Sequence, residues 1–151
     1  MIGDNHPQDS ISSLTVPLRR PLLAGLLYCL LFLFAAVSAK AQTYNIKTNN
    51  NQTITTCTGT LYDSGGSGGA YLDNENYKIT FTTGTSDKMR LTFTAFSTEA
   101  NYDFVKIYDG TTTAATLLGS WHGSTSPGTV TGSGSSLTVV FTSDGSVTST
   151  G

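Results

Sequence analysis

An all-β fold, built as a two-sheet antiparallel sandwich, is what this sequence of 151 residues predicts. Three observations carry the prediction. Beyond residue 41, short stretches alternate apolar and polar side chains with the period of two that buries one face of a strand. Turn residues, chiefly Gly, Asn, Asp and Ser, interrupt these stretches at short spacing. Apolar residues in the same region do not recur at the 3.6 spacing of a helix.

The chain opens on a different kind of segment. A basic pair, Arg19-Arg20, precedes an almost wholly apolar run from Pro21 to Val37, and Ala39-Lys40-Ala41 supplies a small-x-small cleavage site. Residues 1–41 therefore read as a secretory signal peptide removed after Ala41. The apolar run approaches the length of a membrane span, but the cleavage site favours export, with no membrane association of the mature form. The 110 residues that remain hold five basic and eight acidic side chains. A domain of that size buries only about two-thirds of its unfolded surface, so a disulfide or a metal is a useful addition. Cys29 leaves with the leader, and Cys57 is then an odd cysteine in a secreted protein.

Residues 42–56 are rich in Asn and Thr and read as a loose lead-in that includes a glycosylation acceptor pattern, Asn51-Gln52-Thr53. From Cys57 to Tyr77 the glycines at 65, 66, 68 and 69 predict a loop with unusual backbone angles. Tyr77, Ile79 and Phe81 alternate with Lys78, Thr80 and Thr82 as a strand, and Gly84 to Asp87 turn the chain. Met89, Leu91, Phe93 and Ala95 form a second alternating stretch. A polar loop, Ser97 to Asp103, leads to a strand over Phe104 to Tyr108 that ends at Asp109-Gly110. Leu117 to Trp121, Thr129 to Thr131 and Leu137 to Thr142 are the remaining strand signals.

Two function classes are excluded on these residues. Lys and Arg total 8 and form no stripe, so there is no nucleic-acid footprint. Gly65-Gly66-Ser67-Gly68-Gly69 matches the G-x-S-x-G elbow of hydrolases, but no helix pattern follows it. Beyond the leader the one histidine is His122, read as a surface or packing residue beside Trp121. No nucleophile, base and orienting group come together in the sequence, so the chain is not read as an enzyme. Function is expected instead in the 97–103 loop, where Glu99 and Asp103 stand close together, with Asp144 following a later strand. By spacing alone such acids are either separate solvated side chains or oxygen ligands for a hard cation.

The order of motifs is more specific. Cys57-Thr58-Gly59, Tyr71-Leu72-Asp73-Asn74, Leu91-Thr92-Phe93 with Phe96 to Glu99, Tyr102 to Gly110, and Ser136-Leu137 with Phe141 to Asp144 succeed one another. In that order they resemble a CUB domain, the extracellular module of complement proteases, astacin-like proteases and many receptors. Tyr62 to Gly66 looks like modules of secreted bacterial proteins. The resemblance implies a jelly-roll sandwich over residues 57–151, lacking its last strand because the matched pattern breaks off at Gly151. It also implies a calcium (Ca2+) site at one end, with Glu99, Asp103 and Asp144 as ligands and Tyr71 in support. Through that end, with Tyr71, Glu99 and Asp144 at the contact, the module is expected to bind an extracellular protein partner by a basic side chain. The animal pattern has a cysteine in the 99–103 loop and one near Tyr77, and this chain has neither. The alternative is a metal-free spacer or carbohydrate-binding module of a larger secreted enzyme. Its glycan-binding aromatics would be Trp121, Tyr62 and Tyr71.

Overall fold

A computed structural model describes residues 41–151. The signal-peptide reading and Cys29 fall on residues 1–40, outside the described part. The described chain forms nine strands: β1 (Gln42–Asn45), β2 (Thr53–Thr55), β3 (Gly59–Tyr62), β4 (Asn76–Thr82), β5 (Arg90–Thr92), β6 (Phe104–Asp109), β7 (Thr116–Trp121), β8 (Thr129–Thr131) and β9 (Ser136–Thr142). No helix among the described residues is long and apolar enough to cross a membrane.

The alternating stretches become the central strands. In a five-stranded sheet of order β2-β4-β9-β6-β7, Ile79 stands opposite Val139, and Val139 opposite Ile107. Tyr77, Phe141 and Val105 make a second such row. Cross-strand partners share a face, so these rows form one apolar surface. Two small sheets, β1-β3 and β5-β8, supply Tyr44, Leu61, Leu91 and Val130 to the same core. The Tyr44 ring meets Phe81 edge-on at 5.4 Å, which places β1 over β4. The opposite face of the large sheet is hydroxyl-rich, and part of it is covered. Thr80 and Thr138 are buried there, 2.9 Å apart, and Thr138 Oγ1 donates to the Gly110 carbonyl.

The all-β sandwich is the one the sequence predicts, but the prediction of antiparallel strands throughout is corrected. β1 with β3, and β2 with β4, run parallel. The cause is the path of the chain, which goes from the small sheet to the large one, back, and across again. Strands one and three then point the same way, as do two and four. β3 itself lies within the stretch read as loop. Its first residue, Gly59, sits against Tyr44, where a Cβ would come within 2.7 Å of the ring. The Gly65–Gly69 stretch joins β3 to β4 and is followed by a strand, not by the helix an elbow requires. The alternating stretch from Met89 is a strand over Arg90–Thr92, where it pairs with the three-residue β8, and Met89 and Phe93 extend the backbone hydrogen bonding to Gly132, Gly134 and Gly128.

β3 and β5 do not pair with each other, and a groove of about 410 Å³ runs between them. Tyr71, Val105, Val139 and Phe141 line it with residues of both strands. Cys57 is exposed and free, its Sγ 3.8 Å from the Thr83 carbonyl at the far end of β4 from Tyr77.

Candidate metal centre

Strand register brings the acids together. Phe104, which opens β6, stands opposite Thr142, which closes β9. The strands are antiparallel, so Asp103 before one and Asp144 after the other leave the sheet at the same end. Glu99 arrives on the segment that crosses from β5 in one layer to β6 in the other. One carboxylate oxygen from each of Glu99, Asp103 and Asp144 lies within 4.8 Å of the other two.

Asp103 is the centre of the arrangement. It is fully buried, and its Oδ1 accepts the Asp144 amide at 2.9 Å while its Oδ2 accepts the Tyr71 hydroxyl at 2.5 Å. The Tyr71 oxygen in turn accepts the Glu99 amide at 3.0 Å. One tyrosine thus ties together the backbone or side chain of two ligands. Burial, and then the hydrogen bond to Asp103, raise the Tyr71 hydroxyl far above the usual tyrosine value, so it stays a donor. Its ring is held edge-on to Phe141 at 4.9 Å. Tyr71 is 1% exposed, too deep to touch a partner as the sequence reading had it. The position of Asp144 is set by its backbone, since its carbonyl accepts the Asn74 amide at 2.5 Å. The preceding Ser143 exchanges hydrogen bonds with Glu75 and donates to the Leu72 carbonyl. Thr98, unmarked in the sequence reading, is buried and donates to the Asp103 carbonyl at 3.0 Å. A threonine beside a loop acid is too common to signal this role.

The residues fit a hard cation. Glu99 Oε2 is buried and has no hydrogen-bond partner, while its carboxylate faces two others. A buried carboxylate oxygen without a donor is costly, and three converging acids repel unless a cation lies among them. The repulsion registers on Glu99, whose carboxyl is raised above its ordinary value by burial and then by Asp144, Asp103 and Asp73. A carboxyl raised on folding binds its proton more tightly in the folded state. Its effect therefore favours the fold at acid pH and is lost as pH climbs from the ordinary glutamate range through the raised value. In chelator, Glu99→Gln is expected to melt above the wild type at pH 7 and level with it near pH 4. Paired thermal melts check this, and a lower-melting variant at pH 7 would contradict the repulsion.

Of the aromatics expected for a glycan, Tyr71 is buried and Trp121 packs against the core. Gly119 makes room for the Trp121 ring, which a Cβ there would meet at 2.3 Å.

Comparison with known proteins agrees with this architecture. The profile of the CUB domain family matches residues 48–151. The chain is 40% identical over 88 residues to cubilin of Sus scrofa, covering 54% of this chain and 2% of that protein. Tolloid-like protein 2 of Mus musculus is 41% identical over 64 residues, covering 40% of this chain and 6% of its own. The chain thus spans a small fraction of the curated relatives it matches. Among solved structures, the full extracellular region of zebrafish Gpr126/Adgrg6 superposes with a TM-score of 0.50 at 21% identity, over 74% of this chain and 13% of that one. That likeness concerns the fold. With more than half the chain matched in sequence and a β-sandwich to carry it, this chain belongs to the CUB domain family.

Proposed function

We propose that the chain is an exported, non-catalytic recognition module that takes up one calcium ion at Glu99, Asp103 and Asp144 and binds an extracellular protein partner there. The observation that carries the reading is the buried, unpartnered Glu99 Oε2 within reach of two further carboxylates. Calcium takes six to eight oxygens, and when bound it supplies the charge that lets three acids share one end of the sandwich. Tyr71 orients Asp103 from beneath. Glu99 and Asp144, both less buried than Asp103, then receive a basic side chain, with the exposed Leu72 and Tyr102 available for its neighbours. Export is supported by the apolar leader with its Ala-Lys-Ala end.

The test is a thermal melt of the full chain in chelator and in millimolar calcium. Extracellular calcium modules bind at about 10⁻⁴ to 10⁻³ M. A tenfold excess over the dissociation constant should stabilise the fold by about 1.4 kcal/mol, roughly a 5 °C rise. Magnesium should do less, because it demands a tighter octahedron. The same melting temperature in chelator and calcium would leave the metal-free spacer as the better account.

A further inference from the structure

We infer that His122 is a positioning residue of the cation site, holding the loop between two of its ligands in shape. The inference rests on the calcium reading above and assigns a task to a side chain outside the carboxylate set. Between Glu99 and Asp103 the chain makes a tight reversal, and the Asp103 amide donates back to the Glu99 carbonyl at 3.3 Å. The reversal puts Asn101 in the left-handed region, with φ 72°. An asparagine tolerates that backbone better than most residues, but its amide then points out of the turn. In this protein it points at His122, and the Asn101 N–H donates to His122 Nδ1 at 3.0 Å.

His122 stands directly after β7, the strand that pairs Trp121 with Val105 on β6. The register of those two strands therefore carries the imidazole to the cation end of the sheet. Its ring is set edge-on against Phe104 at 5.1 Å, and Phe104 directly follows the ligand Asp103. Accepting at Nδ1 requires that the ring proton sit on Nε2. The neighbouring residue completes the fastening. Gly123 donates its amide to Thr98 Oγ1 at 2.9 Å and accepts the Thr98 amide at 2.9 Å. Gly123 has φ 72° and lies against Ala100, so a side chain is strained there.

Residues 122–123 thus hold Thr98 and Asn101, the residues on either side of Glu99 and Ala100. Asp144 and Asp103 are fixed by the sheet ends, whereas Glu99 is fixed through this loop, by its amide on the Tyr71 hydroxyl and its carbonyl on the Asp103 amide. Loss of the His122 acceptor should free Glu99 to move, and a mobile ligand weakens the cation site while the core is untouched.

Calcium titration of the full chain by calorimetry, with amide hydrogen exchange read at Asn101 and Glu99, tests the role. His122→Phe keeps an aromatic ring against Phe104 and removes the acceptor. It should weaken calcium binding roughly tenfold, the measure of one lost hydrogen bond at a binding loop, and speed exchange at Asn101. His122→Asn puts an amide oxygen where Nδ1 stands and should restore affinity to within about twofold of wild type. Unchanged calcium affinity in His122→Phe, or equal loss in His122→Asn, would overturn the positioning role while leaving the cation site in place. A wild type that takes up no calcium would overturn the site and this role with it.

Discussion

Asp103→Ala is expected to lower stability by about 3 kcal/mol in chelator and to erase the response to calcium. The carboxylate is fully buried and accepts the Tyr71 hydroxyl and the Asp144 amide. Each such bond to a charged acceptor is worth about 1.5–3 kcal/mol, and its removal leaves a donor facing a void. Relief of repulsion from Glu99 and Asp144 offsets part of the loss, since all three acids lie within 4.8 Å. Asp103→Asn keeps the shape and one acceptor, so it should fold more stably than the alanine variant yet still fail to respond to calcium. Asp109→Ala is the control. Asp109 closes β6 at its other end, where it accepts the Ser133 amide. It should retain the full calcium increment. Paired melts of the three variants decide the matter. An Asp103→Ala protein that still gains several degrees in calcium would rule out this carboxylate as a ligand.

The second large effect belongs to the core. Ile107→Ala should cost about 3–4 kcal/mol, because it opens a cavity where the neighbours have little freedom to close. Ile107 is fully buried in β6, opposite Val139 on one side and Gly119 on the other. The predicted drop in melting temperature is roughly 15 °C, equal in chelator and in calcium, so the increment between the two stays that of the wild type. That separates it from Asp103→Ala, which loses both. Leu117→Ala, at a position 48% exposed in the neighbouring strand, should change stability by less than about 0.5 kcal/mol. A loss under 1 kcal/mol at Ile107 would mean that the Ile79–Val139–Ile107 row is not the packed centre of the sheet.

Much of this fold is legible locally. Tyr77, Ile79 and Phe81 alternate with Lys78, Thr80 and Thr82, and Leu137, Val139 and Phe141 with Thr138, Val140 and Thr142, because the apolar core lies on one face of each strand, and alternation needs no knowledge of the partner strand. β3 escaped the reading because Gly59 and the glycines after it speak for a loop when taken in isolation. Only the Tyr44 ring lying over Gly59 makes that small residue suitable for a strand. The parallel pairings were equally hidden, since direction depends on how often the chain changes layer.

At the site, motif order singles out Glu99, Asp103, Asp144 and Tyr71, although their spacing alone allows three unrelated surface acids. What the sequence by itself determined was which residues face inward, which segments turn, and which acids belong to a shared pattern, because those are properties of side chains and their near neighbours. Tertiary structure decided the rest. The pairing of Phe104 with Thr142 brings together acids that are 41 residues apart in the chain. The same end of the sheet buries Asp103 and Tyr71, leaves Glu99 Oε2 without a donor, and sets His122 against the ligand loop. Register and burial are set by the summed packing of distant strands, and no short stretch of residues contains that sum.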